Sequence, residues 1–324
     1  MDKIFNKNDY KSNDKIYKVI IDTDPGVDDA ACLIYAFFDE NIDIKLFTTV
    51  VGNTSLDKTT RNLLHLMDLF DIDIPVARGA HKAMARESIN AEFIHQKEGL
   101  GGYEPTEITA RRLSSDDAVE AMYKVLKEGD GDIIPIILGP QTNLGHLFTK
   151  HPDIIKKIPQ IVFMGGSPFG NPNYPDHISF NISSDPEAFK IVLDSKIPLV
   201  MVPSDVGRRK AHLSEDFVNR LATINDAGKL LAKMYSKYWE PNYPDKRVAT
   251  NDSLALFALC YPKMFKFEKV SVSVDLKDAP GKTFVDFDGK GNVLFITDVN
   301  REAFLNLLIS DLEKLNEKQL KNKY

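Results

Sequence analysis

Four aspartates fall within eight residues, in Asp22-Thr23-Asp24-Pro25-Gly26-Val27-Asp28-Asp29, directly after an apolar run at 17–21. Carboxylates held a few ångströms apart repel by on the order of several kcal/mol at a protein-like dielectric, so the cluster must take up protons, move apart or surround a cation. A hard divalent ion, Ca²⁺ or Mg²⁺, is the simplest partner, because it draws its ligands from oxygen. The plainer reading is a strand-to-helix turn in which Asp24 or Asp28 caps the following helix and favours its positive end. Capping accounts for one or two of the four aspartates, not for all.

Positioning such a turn requires a strand that stops at residue 21–23 and a helix that starts near 27, and the pattern around it supplies both. Residues 27–38 have helical apolar spacing, 42–51 read as a second strand closed by Gly52-Asn53, and 56–70 as an amphipathic helix. The alternation continues with strands at 75–77, 133–138, 158–164 and 199–202, and helices at 115–127, 144–148, 215–239 (mostly) and 251–260. A further helix is opened by Asp185-Pro186, proline being favoured at a first helical position. β-rich runs at 270–276 and 293–297 precede a closing helix from Arg301. The expected fold is α/β: an open, mostly parallel, doubly wound (Rossmann-like) sheet with helices on both faces and a small C-terminal β/α addition. Residues 1–16 read as a polar extension and 17–324 as a single domain. Ligands of such sheets sit beyond the carboxyl ends of the strands, where Asp24, Asn53, Gly139-Pro140 and Gly165-Gly166 should converge. The irregular stretches 79–109 and 167–179 are long enough to be pocket walls or lids.

The bulk numbers narrow the ligand. A chain of 324 residues, 43% hydrophobic, can bury a large core. A net charge of -6 and a pI near 5.7 argue against a nucleic-acid polymer and for a small polar ligand. The two cysteines, Cys32 and Cys260, lie in apolar stretches and read as buried thiols of a reducing compartment. The polar start lacks the apolar core of a secretion signal, and no run is long enough to span a bilayer, so a cytoplasmic location without a membrane partner is expected.

The aspartate turn resembles the N-terminal signature of the nucleoside hydrolase family, of the inosine-uridine-preferring type. Further blocks resemble the family in order: Val50-Val51-Gly52-Asn53, Glu98-Gly99-Leu100-Gly101, Leu138-Gly139-Pro140-Gln141-Thr142-Asn143, Met164-Gly165-Gly166, Gly170-Asn171, Phe180-Asn181-Ile182 and Asn251-Asp252. One block would be weak; the ordered set covers the chain from about residue 17 to the C-terminal helix. The resemblance implies Ca²⁺-dependent hydrolysis of ribonucleosides to base and ribose, in a homodimer or homotetramer. It implies that Asp24, Asp29, Asp252 and the Thr142 carbonyl hold Ca²⁺, and that Asp24 is the general base for water. It further implies that Asp28 and Asn181 grip the ribose 2'-hydroxyl, Asp252 meets the 3'-hydroxyl with Asn53 nearby, Asn171 reaches the 5'-hydroxyl and Met164 the sugar face. Anions beneath the ribose suit the oxocarbenium-like transition state of such a cleavage.

Three positions depart from the family. Asn251 stands where a histidine usually precedes the metal-binding aspartate; it cannot act as an acid but can hydrogen-bond a base. Ser179 replaces a usual glutamate that holds the 5'-hydroxyl, and Gln96 replaces a usual glycine after His95. The metal-and-water half is thus intact and the substrate-reading half altered, which predicts retained hydrolysis with specificity shifted toward 5'-substituted or otherwise modified nucleosides. For the leaving group the candidates are His95, taken as a neutral-pH titrating ring, with His177, Tyr235, Tyr238 and Trp239; packing is the alternative role for the aromatics. Two competing readings are a nucleoside- or ribose-binding relative with little turnover, and a haloacid dehalogenase-type phosphohydrolase, in which Asp22-Thr23-Asp24 would hold the nucleophile. The later Gly-Asn and Thr-Asn blocks have no place in the second.

Overall fold

The computed structural model describes residues 5–105, 113–170, 178–239 and 245–315. The strands are β1 (Tyr17–Thr23), β2 (Ile42–Thr49), β3 (Val76–Arg78), β4 (Ile134–Ile137), β5 (Ile161–Met164), β6 (Leu199–Val202), β7 (Leu213–Ser214), β8 (Arg247–Val248), β9 (Phe265–Val274), β10 (Thr283–Asp286) and β11 (Val293–Val299). The helices are α1 (Val27–Ala36), α2 (Leu56–Leu69), α3 (Glu92–His95), α4 (Ala118–Glu128), α5 (Thr142–Lys150) and α6 (Phe180–Ser184). They continue with α7 (Pro186–Asp194), α8 (Ser204–Lys210), α9 (Glu215–Leu221), α10 (Asp226–Tyr235), α11 (Asn251–Cys260) and α12 (Arg301–Lys314).

Nine strands form one sheet in the order β10-β9-β11-β6-β5-β4-β1-β2-β3. The pairs from β3 to β11 are parallel, and β9 and β10 continue antiparallel. Strands β4 and β6 are apolar throughout and fully buried, as a parallel sheet covered on both faces requires. One face carries a layer that includes Leu33 of α1, Leu66 of α2, Leu231 of α10 and Phe304 of α12. The other carries Met122 of α4, Leu147 of α5 and Phe189 of α7. Winding runs one way from β1 to β3 and the opposite way from β4 to β6, so the crevice opens beyond the carboxyl ends of β1 and β4.

The expected architecture is the observed one, with local differences. The C-terminal strands are not an addition: β11 pairs with β6, so β9 and β10 extend the main sheet. The helix expected from 115 starts at Ala118, where the Asp117 side chain accepts the Glu120 N–H, while Ser115 bridges to Ala77. The stretch 215–239 is two helices, because the Asn225 side chain accepts the Gly228 N–H and starts α10 afresh. Lys7 of the polar start lies 2.7 Å from Asp311 of α12. Both cysteines are buried free thiols, and among the described residues no helix is long and apolar enough to cross a membrane.

Helix α11 carries the Asn251-Asp252 block into the crevice. All ten of its residues are buried, so it is a central helix packed on all sides, against α1 among others. Phe257 fixes it through ring contacts of 5.9 Å with Tyr35, 5.8 Å with Tyr261 and 5.9 Å with Phe304. Truncation by Phe257→Ala is expected to cost about 3–5 kcal/mol of unfolding free energy, read as a lowered denaturant midpoint; a loss below about 1 kcal/mol would show that α11 is not anchored there.

Candidate active site

At the end of β1 the chain turns through Pro25-Gly26 into α1, and the carboxylates divide into separate environments. Asp29 is the helix cap: it accepts the Thr23 hydroxyl at 2.6 Å, the Gly26 N–H at 3.1 Å and the Asn53 side-chain amide at 2.8 Å. Capping therefore falls to Asp29, not to Asp24 or Asp28. Asp22 faces the sheet, taking the Thr48 hydroxyl at 2.5 Å and the Asn143 amide at 2.7 Å. Asp24 accepts the Asn53 N–H at 2.7 Å through Oδ2, while its buried Oδ1 has no hydrogen-bond partner among the described residues. The slot that holds it is built of glycine. A Cβ on Gly52 would lie 2.0 Å from Oδ2, and one on Gly139, which follows β4, 2.4 Å from Oδ1.

Asp28, Asp29 and Asp252 each offer a carboxylate oxygen, all within 4.8 Å of one another. Burial raises the Asp24 carboxyl well above the usual range, and Asp29 raises it further. Burial raises Asp252 likewise, followed by repulsion from Asp28, Asp29 and Asp24. Asp29 is raised by burial against the pull of its hydrogen bonds, and burial lifts Asp22 to about 7. Burial and mutual repulsion both favour the protonated forms, and a hard cation would relieve both. Several buried carboxylates and an orphaned Asp24 oxygen form a donor set that fits such an ion.

Above the carboxylates lies a cavity of about 50 Å³, lined in part by Asp28, Asn53, Met164, Asn181, Asn251 and Asp252. These are expected site residues, drawn together from five separate segments, Asn251 and Asp252 being adjacent. Asn181 is oriented by its amide, which donates to the carbonyls of Leu138 and Met164. Asp24 and Asp29 sit next to this group without lining the cavity. Thr142, expected to offer its carbonyl, opens α5 with its hydroxyl on Asp185 at 2.8 Å and does not line the cavity; Leu138, with a carbonyl facing Asn181, does. Ser179 is buried, and its hydroxyl accepts the Gly166 N–H at 2.7 Å. Tyr235 is buried in the core, and Trp239, with its indole N–H on the Ser236 carbonyl at 3.0 Å, stands outside the lining. Tyr238 is in it. Asn171 and His177 lie outside the described residues.

His95 lines the cavity, but not as a titrating surface ring. It is buried, its Nδ1 accepts the Val27 N–H at 3.0 Å, and its ring rests 4.8 Å from that of Tyr238. Burial lowers its pKa to about 3, so the imidazole is neutral near pH 7 and offers Nε2–H as a hydrogen-bond donor, not a proton as an acid. The next residue, Gln96, has φ 66° and ψ 166°, backbone normally reserved for glycine, and its side-chain amide is 3.4 Å from the Lys237 carbonyl. Sequence reasoning missed Arg208 and Phe180 as lining residues. Phe180 sits between Ser179 and Asn181, so alternate weighing of that block would have found it; nothing in the sequence around Arg208 marks it.

An α/β sheet with a buried carboxylate group and a polar cavity at its switch point defines a site for a small polar ligand, and comparison with known proteins supplies the class. A model of the family described as inosine-uridine preferring nucleoside hydrolase matches residues 19–306. The chain is 34% identical over 292 residues to the non-specific ribonucleoside hydrolase RihC of Klebsiella pneumoniae (strain 342), covering 88% of this chain and 95% of that protein. It is 35% identical over 274 residues to RihC of Salmonella enteritidis PT4, covering 84% and 88%. Among solved structures, a plant nucleoside hydrolase, PpNRh1, superposes with a TM-score of 0.86 at 27% identity, covering 92% of this chain and 99% of that one. A purine-preferring ribonucleoside hydrolase from Gardnerella vaginalis gives 0.83 at 26% identity, covering 93% and 99%. The chain belongs to the inosine-uridine preferring nucleoside hydrolase family. It is an N-glycosidase that hydrolyses ribonucleosides.

Two outcomes follow from this geometry. Gly139→Ala puts a methyl group into Asp24 and should lower kcat on the order of 10²-fold with the far-UV spectrum unchanged; a variant of normal activity would remove Asp24 from the reaction. The second concerns pH. A carboxyl raised on folding binds more protons folded than unfolded, so its contribution to stability falls as pH rises through the window, which for Asp22 runs from 3.8 to about 7. Chelated protein should therefore melt higher at about pH 5.5 than at about pH 8, and added Ca²⁺ should raise the midpoint most at the higher pH. A Ca²⁺ response equal at both pH values would count against a cation among these carboxylates.

Proposed function

We propose that ribonucleoside hydrolysis proceeds over a Ca²⁺ ion held by Asp24, Asp29 and Asp252, with a main-chain carbonyl at the crevice completing the protein's share. That carbonyl is the one of Thr142 at the start of α5; the carbonyl of Leu138 already accepts the Asn181 amide. The observation that carries this reading is the orphaned Oδ1 of Asp24, buried between two glycines beside three further carboxylates. When bound, the ion supplies charge to offset the carboxylates and makes water easier to deprotonate. Asp24 takes the proton of the attacking water, since its Oδ2 is engaged by Asn53 and Oδ1 is left to act.

The ribose is read by the group around the cavity floor. Asp28 and Asn181 hold the 2'-hydroxyl, Asp252 and Asn53 the 3'-hydroxyl, and Met164 covers the sugar face. Their charges favour the cation-like sugar that forms as the C1'–N bond lengthens. Asn171 serves the 5'-hydroxyl. Ser179, bound to Gly166, puts a hydroxyl where the family usually has a carboxylate, and acceptance of 5'-substituted nucleosides is the reading we attach to that change. The base lies among His95, Phe180, Tyr238 and Asn251, with rings to stack on and the neutral His95 to donate a hydrogen bond.

The test is release of free base and reducing sugar from inosine, adenosine, guanosine, uridine, cytidine and 5'- and 2'-modified nucleosides, with Ca²⁺ and after exhaustive chelation. Turnover is expected with Ca²⁺ and is expected to be lost on chelation, with 5'-modified nucleosides no worse than plain ones. Full turnover in chelator would overturn the metal assignment; strict exclusion of 5'-modified substrates would overturn the reading of Ser179.

A further inference from the structure

The cavity contains a cation that the roles above do not use. Arg208 lies on α8, directly after β6, and is only 8% exposed; it lines the same cavity as Asp28 and Asp252. Among the described lining residues it is the one that carries a positive charge, His95 being neutral. Asp205 on the same helix is committed elsewhere, to the Ser167 hydroxyl at 3.0 Å and the Phe169 N–H at 3.1 Å, although it still feels the charge of Arg209 and Arg208. A guanidinium brought into a largely buried pocket is a fork of N–H donors, suited to a planar partner with two neighbouring acceptors.

Its neighbour specifies which end of the substrate it meets. The Oδ1 of Asn251 rests so close to Gly207 that a Cβ there would stand 1.8 Å away, so α8 packs directly against Asn251. Arg208, the next residue on α8, and Asn251 both line the cavity, and the Asn251 Oδ1 is buried and accepts no hydrogen bond among the described residues. Phe180 and Tyr238 line the same cavity and offer aromatic faces. Cationic donors, one unused acceptor and two rings describe a site for a flat heterocycle, not for a sugar hydroxyl.

Resting on the nucleoside hydrolase reading above, we infer that Arg208 contacts the leaving nucleobase and accommodates the negative charge that bond cleavage puts on it. As the C1'–N bond breaks, its electron pair passes to the base. The oxygen of water bonds to C1', its proton goes to Asp24, and a proton reaches the departed base from solvent. Arg208 keeps all its protons throughout and only donates hydrogen bonds. The geometry of the fork favours 6-oxopurines, whose O6 and N7 are adjacent acceptors, over 6-aminopurines, which present a donor beside an acceptor.

The experiment compares inosine, inosine 5'-phosphate and p-nitrophenyl riboside as substrates of the Ca²⁺-loaded wild type, R208Q and R208K. p-Nitrophenolate departs without help from the protein, so it reports on the water and ribose half alone. R208Q is expected to lower kcat on inosine about 10²- to 10³-fold, as removal of a donor to a developing anion does, and to change p-nitrophenyl riboside less than about tenfold. R208K, which keeps charge but not the fork, should fall between. Where R208Q does not keep the wild-type far-UV spectrum and melting midpoint, the same split is read from R208K. An equal fall on inosine and p-nitrophenyl riboside, or no fall on either, overturns the inference. So does a loss confined to inosine 5'-phosphate, which would make Arg208 a partner of the 5' end. Wild type inactive on both riboside and inosine would instead overturn the hydrolase reading on which the inference rests.

Discussion

The forced proximity of buried carboxylates at the end of β1 governs how the rest of the molecule is built. Repulsion among Asp24, Asp28, Asp29 and Asp252 would spread them if the backbone were free. The fold removes that freedom. Asp29 is bound by Thr23, Gly26 and Asn53, Asp24 is wedged between Gly52 and Gly139, and Asp252 is delivered by a helix buried on all sides. Hydrogen bonds offset part of the desolvation, and the remainder is left for a cation.

This arrangement explains why the crevice sits between β1 and β4. Only where the winding reverses do the loops after both strands face the same space, so Asp24 from one and Leu138-Gly139 from the other can meet. Helix starts are aimed there as well. α1 begins beside Asp28 and α11 beside Asp252, and the partial positive charge of a helix N-terminus favours an anion at each place. The same sheet that supplies the core thus supplies the field.

What could be read from the sequence follows how local each feature is. The aspartate turn, the alternation of strands and helices, and the buried character of 251–260 depend on neighbours within a few residues, and they appear as expected. Residues whose role depends on distant partners do not show. His95 looks like a loop histidine until Val27 and Tyr238 close on it. Ser179 reads as a lost carboxylate, whereas in the fold it ties down Gly166. Arg208 has no local signature at all, because its meaning comes from Asn251, more than forty residues away. The extension of the sheet by β9 and β10 was hidden for the same reason: pairing of β11 with β6 is a long-range event.

The backbone of Gln96 acts as a loaded spring. A residue with a side chain stores on the order of 1–3 kcal/mol in that glycine-like conformation, and here it is stored in the segment that brings His95 against Tyr238. Glycine would adopt the same backbone without that cost, so the wall that seats His95 against Tyr238 is held at the expense of the stability of the whole fold.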